Sequence, residues 1–336
     1  MNYISTWLYI ESKDDESYYD QVGGSTTDKR IQDIYWKCVF DFFHSSLKFN
    51  KECKHIFFTN KNIDNVVIGK IQIRDFFKQN NISVVNIELT NKTPKDWFGS
   101  WRNQFYIFDI LKYIKEEFSD EDKFLILDSD CVFTKNIGNL FLNLSTNTIN
   151  YNINYDKNQI VNGISEVQMT EIYNEIFNKN EDLIHYYGGE FFVGSMNTIS
   201  KILTEFELLW EQNLKRYSAN KMKLNEEAHF LSCIYKSLNI ENNEGNNFIK
   251  RMWTSFKFNN INNEDMELPI WHLPAEKQTG FNTMFNKISV DYKKYLDIDE
   301  KEYRDMLKQN FGIPSRTFKK YVLDIKSIII KKIMNI

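Results

Sequence analysis

The sequence predicts an α/β protein built on a mostly parallel, doubly wound sheet, with a helical appendage at the end of the chain. Three observations point there. Apolar runs of strand length alternate with helix-length amphipathic segments through the first 130 residues, the order expected of a parallel sheet covered on both faces. The run Lys123-Phe124-Leu125-Ile126-Leu127 reads as a strand buried on both sides, and it stops abruptly at Asp128-Ser129-Asp130. Glycine (12) and proline (4) are sparse in 336 residues while aromatics reach 15%, which argues against flexible linkers and for one compact unit.

Taken in order, Ile4 to Ile10 is the first strand, and Glu11 to Thr27, with Asp14, Asp15, Glu16 and Gly23-Gly24, is a long loop. Asp28 can cap a helix reaching about Leu47, with Ile31, Ile34, Tyr35, Cys38, Val39 and Phe42 on one face. Cys53 to Thr59 is a second strand, Val67 to Gln79 a helix, and Ile82 to Leu89 a third strand. Ile107, Ile110, Leu111, Ile114 and Phe118 mark the helix that leads into the strand before Asp128. Beyond it, Asn150 to Tyr155 alternates as a strand, and Ser165 caps a helix running to Phe177. Ile199 to Trp210 is core-facing helix, a further helix starts near Asn225, and Leu268 to Leu273 is a late strand. The expected organisation is a domain over residues 1–285, with a first half, 1–130, of the nucleotide-binding kind and a second half, 131–285, followed by a helical tail, 286–336.

Composition narrows the function classes. A net charge of −4 and the lack of a basic stripe interleaved with aromatics leave no attraction to nucleic acid. The four cysteines, Cys38, Cys53, Cys131 and Cys233, have neither zinc-site nor disulfide-framework spacing and read as buried thiols. The first apolar stretch lacks a basic segment before it, and no run approaches the roughly 20 residues of a membrane span, so the expected location is cytoplasmic.

Two places carry chemistry. Ligands of open α/β sheets sit beyond the carboxyl ends of strands, which puts Asp128 and Asp130 at the mouth of a site. Alternation would send the two side chains to opposite faces, but a turn at this point lets both reach one hard cation; the competing reading is a solvated loop start. Three of the 12 glycines fall within Gly188-Gly189-Glu190-Phe191-Phe192-Val193-Gly194, so the backbone either passes close to something or makes a tight turn into a core strand. Of Glu226 and Glu227, neighbours about 100° apart on a helix, only one can readily face a pocket.

Three motifs, DSDCVFTKNIG (128–138), YYGGEFFVGS (186–195) and NEEAHFLSCIY (225–235), resemble in order and approximate spacing those of retaining glycosyltransferases of the GT-A fold. They look most like the histo-blood-group and α-1,3-galactosyltransferase group, with the likeness covering about residues 100–240. Trp271-His272 to Lys277 is similar instead to the His-to-Lys segment of glycogenin-like retaining enzymes, one residue short. The resemblance implies a Rossmann-like GT-A fold and transfer of a sugar with retention. The implied donor is a UDP-hexose such as UDP-Gal or UDP-GalNAc, the acceptor a glycan or lipid-linked molecule, and the cofactor Mn²⁺ or Mg²⁺. It implies a metal held by Asp128, Asp130 and His272, and donor binding by Arg102 (of Trp101-Arg102-Asn103), Asp128, Ser129, Asp130, Gly188, Gly189, His272 and Lys277. Glu227 and Glu190 are the implied catalytic carboxylates, Glu227 beneath the anomeric carbon and Glu190 with the glycines walling the sugar pocket. His229 orients or packs. Blander readings compete: Arg102 as a helix-start charge, Lys277 as a solvated loop lysine, His272 as a core-edge histidine. The Asp-x-Asp-x-Val run also fits the first motif of haloacid-dehalogenase-type phosphatases, and a catalytically silent GT-A binding domain is a third class. Abundant Asn, Ile and Lys suggest an AT-rich genome, compatible with bacterial polysaccharide biosynthesis.

The tail from Arg316 to Ile336 carries Arg316, Lys319, Lys320, Lys326, Lys331 and Lys332 against Asp324, a local charge of +5 that leaves −9 on the rest of a chain totalling −4. Phe318, Tyr321, Val322, Ile325, Ile328 and Ile329 recur at helical spacing between the lysines. That pattern fits a helix lying in an anionic membrane interface, peripheral on the inner face, or equally a terminal helix docked on the domain with its lysines in solvent.

Overall fold

The computed structural model describes residues 1–13, 16–19, 22–98, 102–144, 148–255 and 258–333, without the side chains of residues 18, 19, 143, 319 and 327–333. Asp14, Asp15 and Trp101, and the side chains of Lys319, Ile328, Ile329, Lys331 and Lys332, therefore lie outside the described residues.

The elements run β1 (Asn2–Leu8), β2 (Tyr18–Tyr19), β3 (Gly24–Ser25), α1 (Lys29–Phe49), β4 (Lys54–Thr59), β5 (Val67–Ile68), β6 (Ile71–Gln72), α2 (Ile73–Gln79), β7 (Ile82–Asn86), α3 (Tyr106–Glu117), β8 (Lys123–Leu127) and β9 (Cys131–Phe133). They continue with α4 (Gly138–Asn143), α5 (Glu166–Phe177), β10 (Phe191–Ser195), α6 (Met196–Ser218), α7 (Glu227–Ser237), β11 (Ile249–Arg251), β12 (Ile270–His272), α8 (Asn282–Ile288), α9 (Tyr292–Asp297), α10 (Glu300–Phe311) and α11 (Phe318–Ile333). The main sheet has the order β10-β8-β1-β4-β7, with β1/β4 and β4/β7 parallel, so the chain winds outward one way from β1 and then returns to its other side with β8. The protein is thus α/β with helices around a five-stranded sheet, and Asp128 follows directly on the strand at which the winding reverses.

Two expected elements differ. The stretch from Val67 to Gln79 is not one helix: β5 and β6 form a hairpin, Ile68 opposite Ile71, and only Ile73–Gln79 is helical. Gly69 at φ +58° supplies the positive dihedral that a two-residue hairpin turn needs. Asn150 to Tyr155 is not a regular strand and makes only the isolated bridge Asn152–Tyr187. Asparagine side chains take the place of a neighbouring strand there: the Asn150 N–H donates to Asn242 Oδ1 and the Asn152 N–H to Asn246 Oδ1, both at 3.0 Å.

By packing, the chain falls into two compact units, the first made of Met1–Asn2, Ile87–Ile126 and Phe141–Asn247, the second of Tyr3–Asn86, Leu127–Leu140 and Phe248–Ile336. The first unit has an aromatic core from α3, α6 and α7, in which Phe108 and Phe206 stack with centroids 3.7 Å apart and Phe105 meets Phe230 edge-on. Its α5 starts with the expected cap, a capping box between Ser165 and Gln168. The second unit is organised by α1, capped by Asp28, which buries Trp36, Phe40 and Phe43 as well as Ile31, Cys38, Val39 and Phe42. All four cysteines are free and buried.

Candidate functional site

In the second unit the chain leaves β8 at Leu127, turns through Asp128, Ser129 and Asp130, and enters β9, with the Cys131 N–H donating to the Asp128 carbonyl at 3.2 Å. The turn lifts the period-two constraint that would have sent the carboxylates to opposite faces. β12 lies antiparallel to β9 with His272 opposite Cys131, and the Leu273 N–H donates to the Asp130 carbonyl at 3.0 Å. This pairing brings the imidazole to the carboxylate, His272 Nε2 lying 3.2 Å from Asp130 Oδ2. One donor atom from each of Asp128, Asp130 and His272 lies within 4.8 Å of the other two. A cation bonded at roughly 2.0–2.6 Å holds opposite ligands at about twice that distance, so the three fit one ion with little movement. Two carboxylates and an imidazole make a mixed donor set of hard oxygens and a borderline nitrogen that could hold a divalent cation.

Past β12 the backbone makes a 3-10 turn, Pro274–Glu276, and a wider π-helical turn, Lys277–Phe281, an irregularity of the kind that often marks functional sites. It delivers Lys277, buried, onto Asp130 Oδ2 as an ion pair. Burial by itself would raise the Asp130 carboxyl, but the Lys277 ammonium and then His272 outweigh it and hold it well below the usual carboxylate range. The Lys277 ammonium also stands 5.8 Å from the ring centroid of Tyr35 on α1. Cys38 is buried in the same region, and burial, then the Asp130 charge, pushes its thiol far up, so it remains a thiol and no nucleophile.

The turn that bears Lys277 is held by Glu276. Its carboxylate accepts from the Gly280 N–H at 3.0 Å, from the Thr279 hydroxyl at 2.7 Å, from the Thr254 hydroxyl, and from the Lys320 ammonium of α11 at 2.8 Å. Lys320 also pairs with Asp324, which accepts from Arg316 Nε at 2.9 Å. Lys320 is thus buried in an ion network, and docking through a lysine departs from both readings of the tail, in which its lysines face solvent or lipid.

In the first unit the glycine pair has a clear steric reason. A Cβ at Gly188 would stand 2.4 Å from Glu190 Oε2 and 2.9 Å from the Tyr151 ring, and a Cβ at Gly189 would stand 2.3 Å from Glu227 Oε1. Neither glycine is among those with positive φ, so both are required for room rather than for conformation. Glu190 is buried, and Glu227 opens α7 and is half-buried. Glu226, the N-cap residue of α7, is saturated by neighbours: the Tyr186 hydroxyl donates to Oε1 at 2.7 Å and Asn162 Nδ2 donates to Oε2. His229 is buried, with burial pushing its imidazole down to about 3, and its Nδ1 accepts from the Asn225 N–H at 3.3 Å. It is a neutral packing histidine. Arg102, half-buried, donates from Nη2 to the Thr93 carbonyl at 2.9 Å, which aims the guanidinium by way of its own loop.

Of the expected site residues, Asp128, Ser129, Asp130, His272 and Lys277 gather in the second unit, and Gly188, Gly189, Glu190 and Glu227 gather in the first. The sequence reading missed Tyr35, taken for core, and the Glu276–Lys320 pair. No local pattern marks either member of that pair, which joins the π-turn to the last helix. No protein-family model matches the chain, and a search of curated proteins finds no match either.

Proposed function

We propose that the chain is a metal-dependent glycosyltransferase of the GT-A type, moving a hexose from a nucleoside-diphosphate sugar, UDP-linked by the motif resemblance, to a glycan or lipid-linked acceptor with retention. One observation carries the reading: two carboxylates and a histidine with donor atoms within 4.8 Å of one another, at the end of a sheet strand, with a buried lysine on the central carboxylate. Few reactions need anionic ligands and a cationic side chain at one point; release of a diphosphate is one of them.

Asp128, Asp130 and His272 would hold the cation, which when bound supplies charge stabilisation to the departing diphosphate. Lys277, on the capped π-turn, is the cation that the protein itself would offer to phosphate oxygens once released from Asp130. Arg102 offers a planar donor fork to ribose or phosphate. Within the first unit, the motif resemblance alone assigns the sugar to Glu227, whose neighbour Glu226 has both carboxylate oxygens engaged, and to Glu190, Gly188 and Gly189.

The test is incubation of the wild-type chain and Asp130→Ala with UDP-hexoses and Mn²⁺, and separately with a phosphate monoester, resolving the anomer of any product. Sugar transfer or hydrolysis by wild type alone, with the donor's anomeric configuration kept, is expected. Phosphate release would favour the dehalogenase-type reading, inversion would remove the retaining one, and full activity of Asp130→Ala in chelator would end the metal assignment.

A further inference from the structure

The last helix sits the opposite way round from an ordinary amphipathic helix. Its inward edge is polar: Lys320 and Asp324 are buried against the second unit and engage Glu276 and Arg316. Its apolar stripe faces out, with Phe318 84%, Val322 48%, Tyr321 46% and Ile325 37% exposed. These four stand at i, i+3, i+4 and i+7 and form one continuous ridge. Hydrophobic burial drives ordinary docking, so a helix that turns its ridge outward and is fastened by a buried ion network presents that ridge to something else.

Charge identifies the occupant. Arg316 and Lys320 are balanced by Asp324 and Glu276, Lys326 is exposed, and by sequence the segment from Arg316 to Ile336 carries +5 on a chain whose total is −4. Pairing of two such segments would bring together two like net charges. An anionic lipid surface accepts both the ridge and the lysines, with aromatic Phe318 and Tyr321 at the depth of the headgroups. No helix among the described residues is long and apolar enough to cross a membrane, so the contact is one of lying on the surface. We propose that the outward face of α11 is a membrane-docking surface for anionic lipid, an assignment independent of the reaction the chain performs.

The experiment is co-sedimentation of the full chain with vesicles of phosphatidylcholine alone and of phosphatidylcholine with 30–40% phosphatidylglycerol, at about 50 and 500 mM salt, where surface charges are weakly and strongly screened. Binding is expected only to the anionic vesicles and should fall roughly tenfold or more at high salt. The variant F318S/V322S/I325S removes three exposed side chains and leaves the ion network untouched. It should bind at least roughly tenfold more weakly with an unchanged circular dichroism spectrum and melting point. Retention of the wild type in the supernatant with anionic vesicles overturns the proposal, as does a triple variant that binds like wild type. A lipid-free dimer that the triple substitution dissociates, seen by sedimentation velocity, overturns it in favour of a second copy.

Discussion

Replacing Gly189 by alanine tests the carboxylate cluster with the smallest possible perturbation. The new methyl would stand 2.3 Å from Glu227 Oε1, and ordinary contact begins at 3.4 Å, so about 1.1 Å of clearance must be found. Backbone strain does not enter, because Gly189 lies outside the left-handed region. The nearest obstacle is the far end of a flexible, half-buried side chain, which can rotate away at little cost in stability, on the order of 1 kcal/mol or less for an off-ideal rotamer. On the proposed function, in which Glu227 is a reacting group, catalysis is less forgiving: an ångström of misplacement there is worth about 10²-fold in rate. Gly189→Ala should therefore lose roughly two orders of magnitude in kcat, keep KM for the donor within about threefold, and melt within a few degrees of wild type. Gly188→Ala is the contrast, since its methyl also meets the Tyr151 ring at 2.9 Å and should cost stability as well. Steady-state kinetics with a nucleotide sugar and a thermal melt on both variants are sufficient. A fully active Gly189→Ala would show that Glu227 does not need its observed position, and the carboxylate assignment would fall with it.

Two further outcomes are expected. Lys277→Met leaves the Asp130 carboxylate buried without its ammonium, a change worth about 3–5 kcal/mol when one member of a buried pair is removed. The variant should melt lower in chelator and recover more on adding Mn²⁺ than wild type does, and equal shifts for both would argue against a cation seat at Asp130. Asp41 is buried on α1, and burial pushes its carboxyl well above its ordinary value. The folded chain then keeps a proton that the unfolded chain releases above about pH 3.9, so stability present below that pH is lost as pH rises toward the folded value. Asp41→Asn should remove that slope, gaining on wild type as pH rises above about 4 in denaturant titrations; parallel curves would show that Asp41 is ionised in the folded state.

The alternation of strands and helices was legible because most apolar runs in the first 130 residues have the length and spacing of their elements, and the caps Asp28 and Ser165 mark their helices in plain residue chemistry. Misreadings came where side chains imitate another periodicity. Val66 to Ile73 contains enough aliphatics for a helix, and only Gly69, with one dihedral, tells the hairpin apart. Asn150 and Asn152 alternate with apolar residues as in a strand, yet their N–H groups donate to other asparagine side chains, partners that no local pattern reveals. At the site, Asp128 and Asp130 announced themselves by ending a buried run. His272 and Lys277 were reached through motif likeness alone, and the Glu276–Lys320 pair is a distant contact with no trace in either neighbourhood.

That pair also decides how the last helix can be studied. Cutting the chain before Arg316 would remove Lys320 from Glu276 and leave the carboxylate to its neutral donors, Thr254, Thr279 and the Gly280 N–H, in a buried place. The turn that those bonds shape is the one that presents Lys277. On the two proposals made above, a truncated chain would lose donor affinity and lipid affinity together, and its failure would be credited to the wrong surface. Point substitutions on the outward ridge separate the two, because the edge of α11 that props the Lys277 turn and the exposed ridge lie on different sides of one helix.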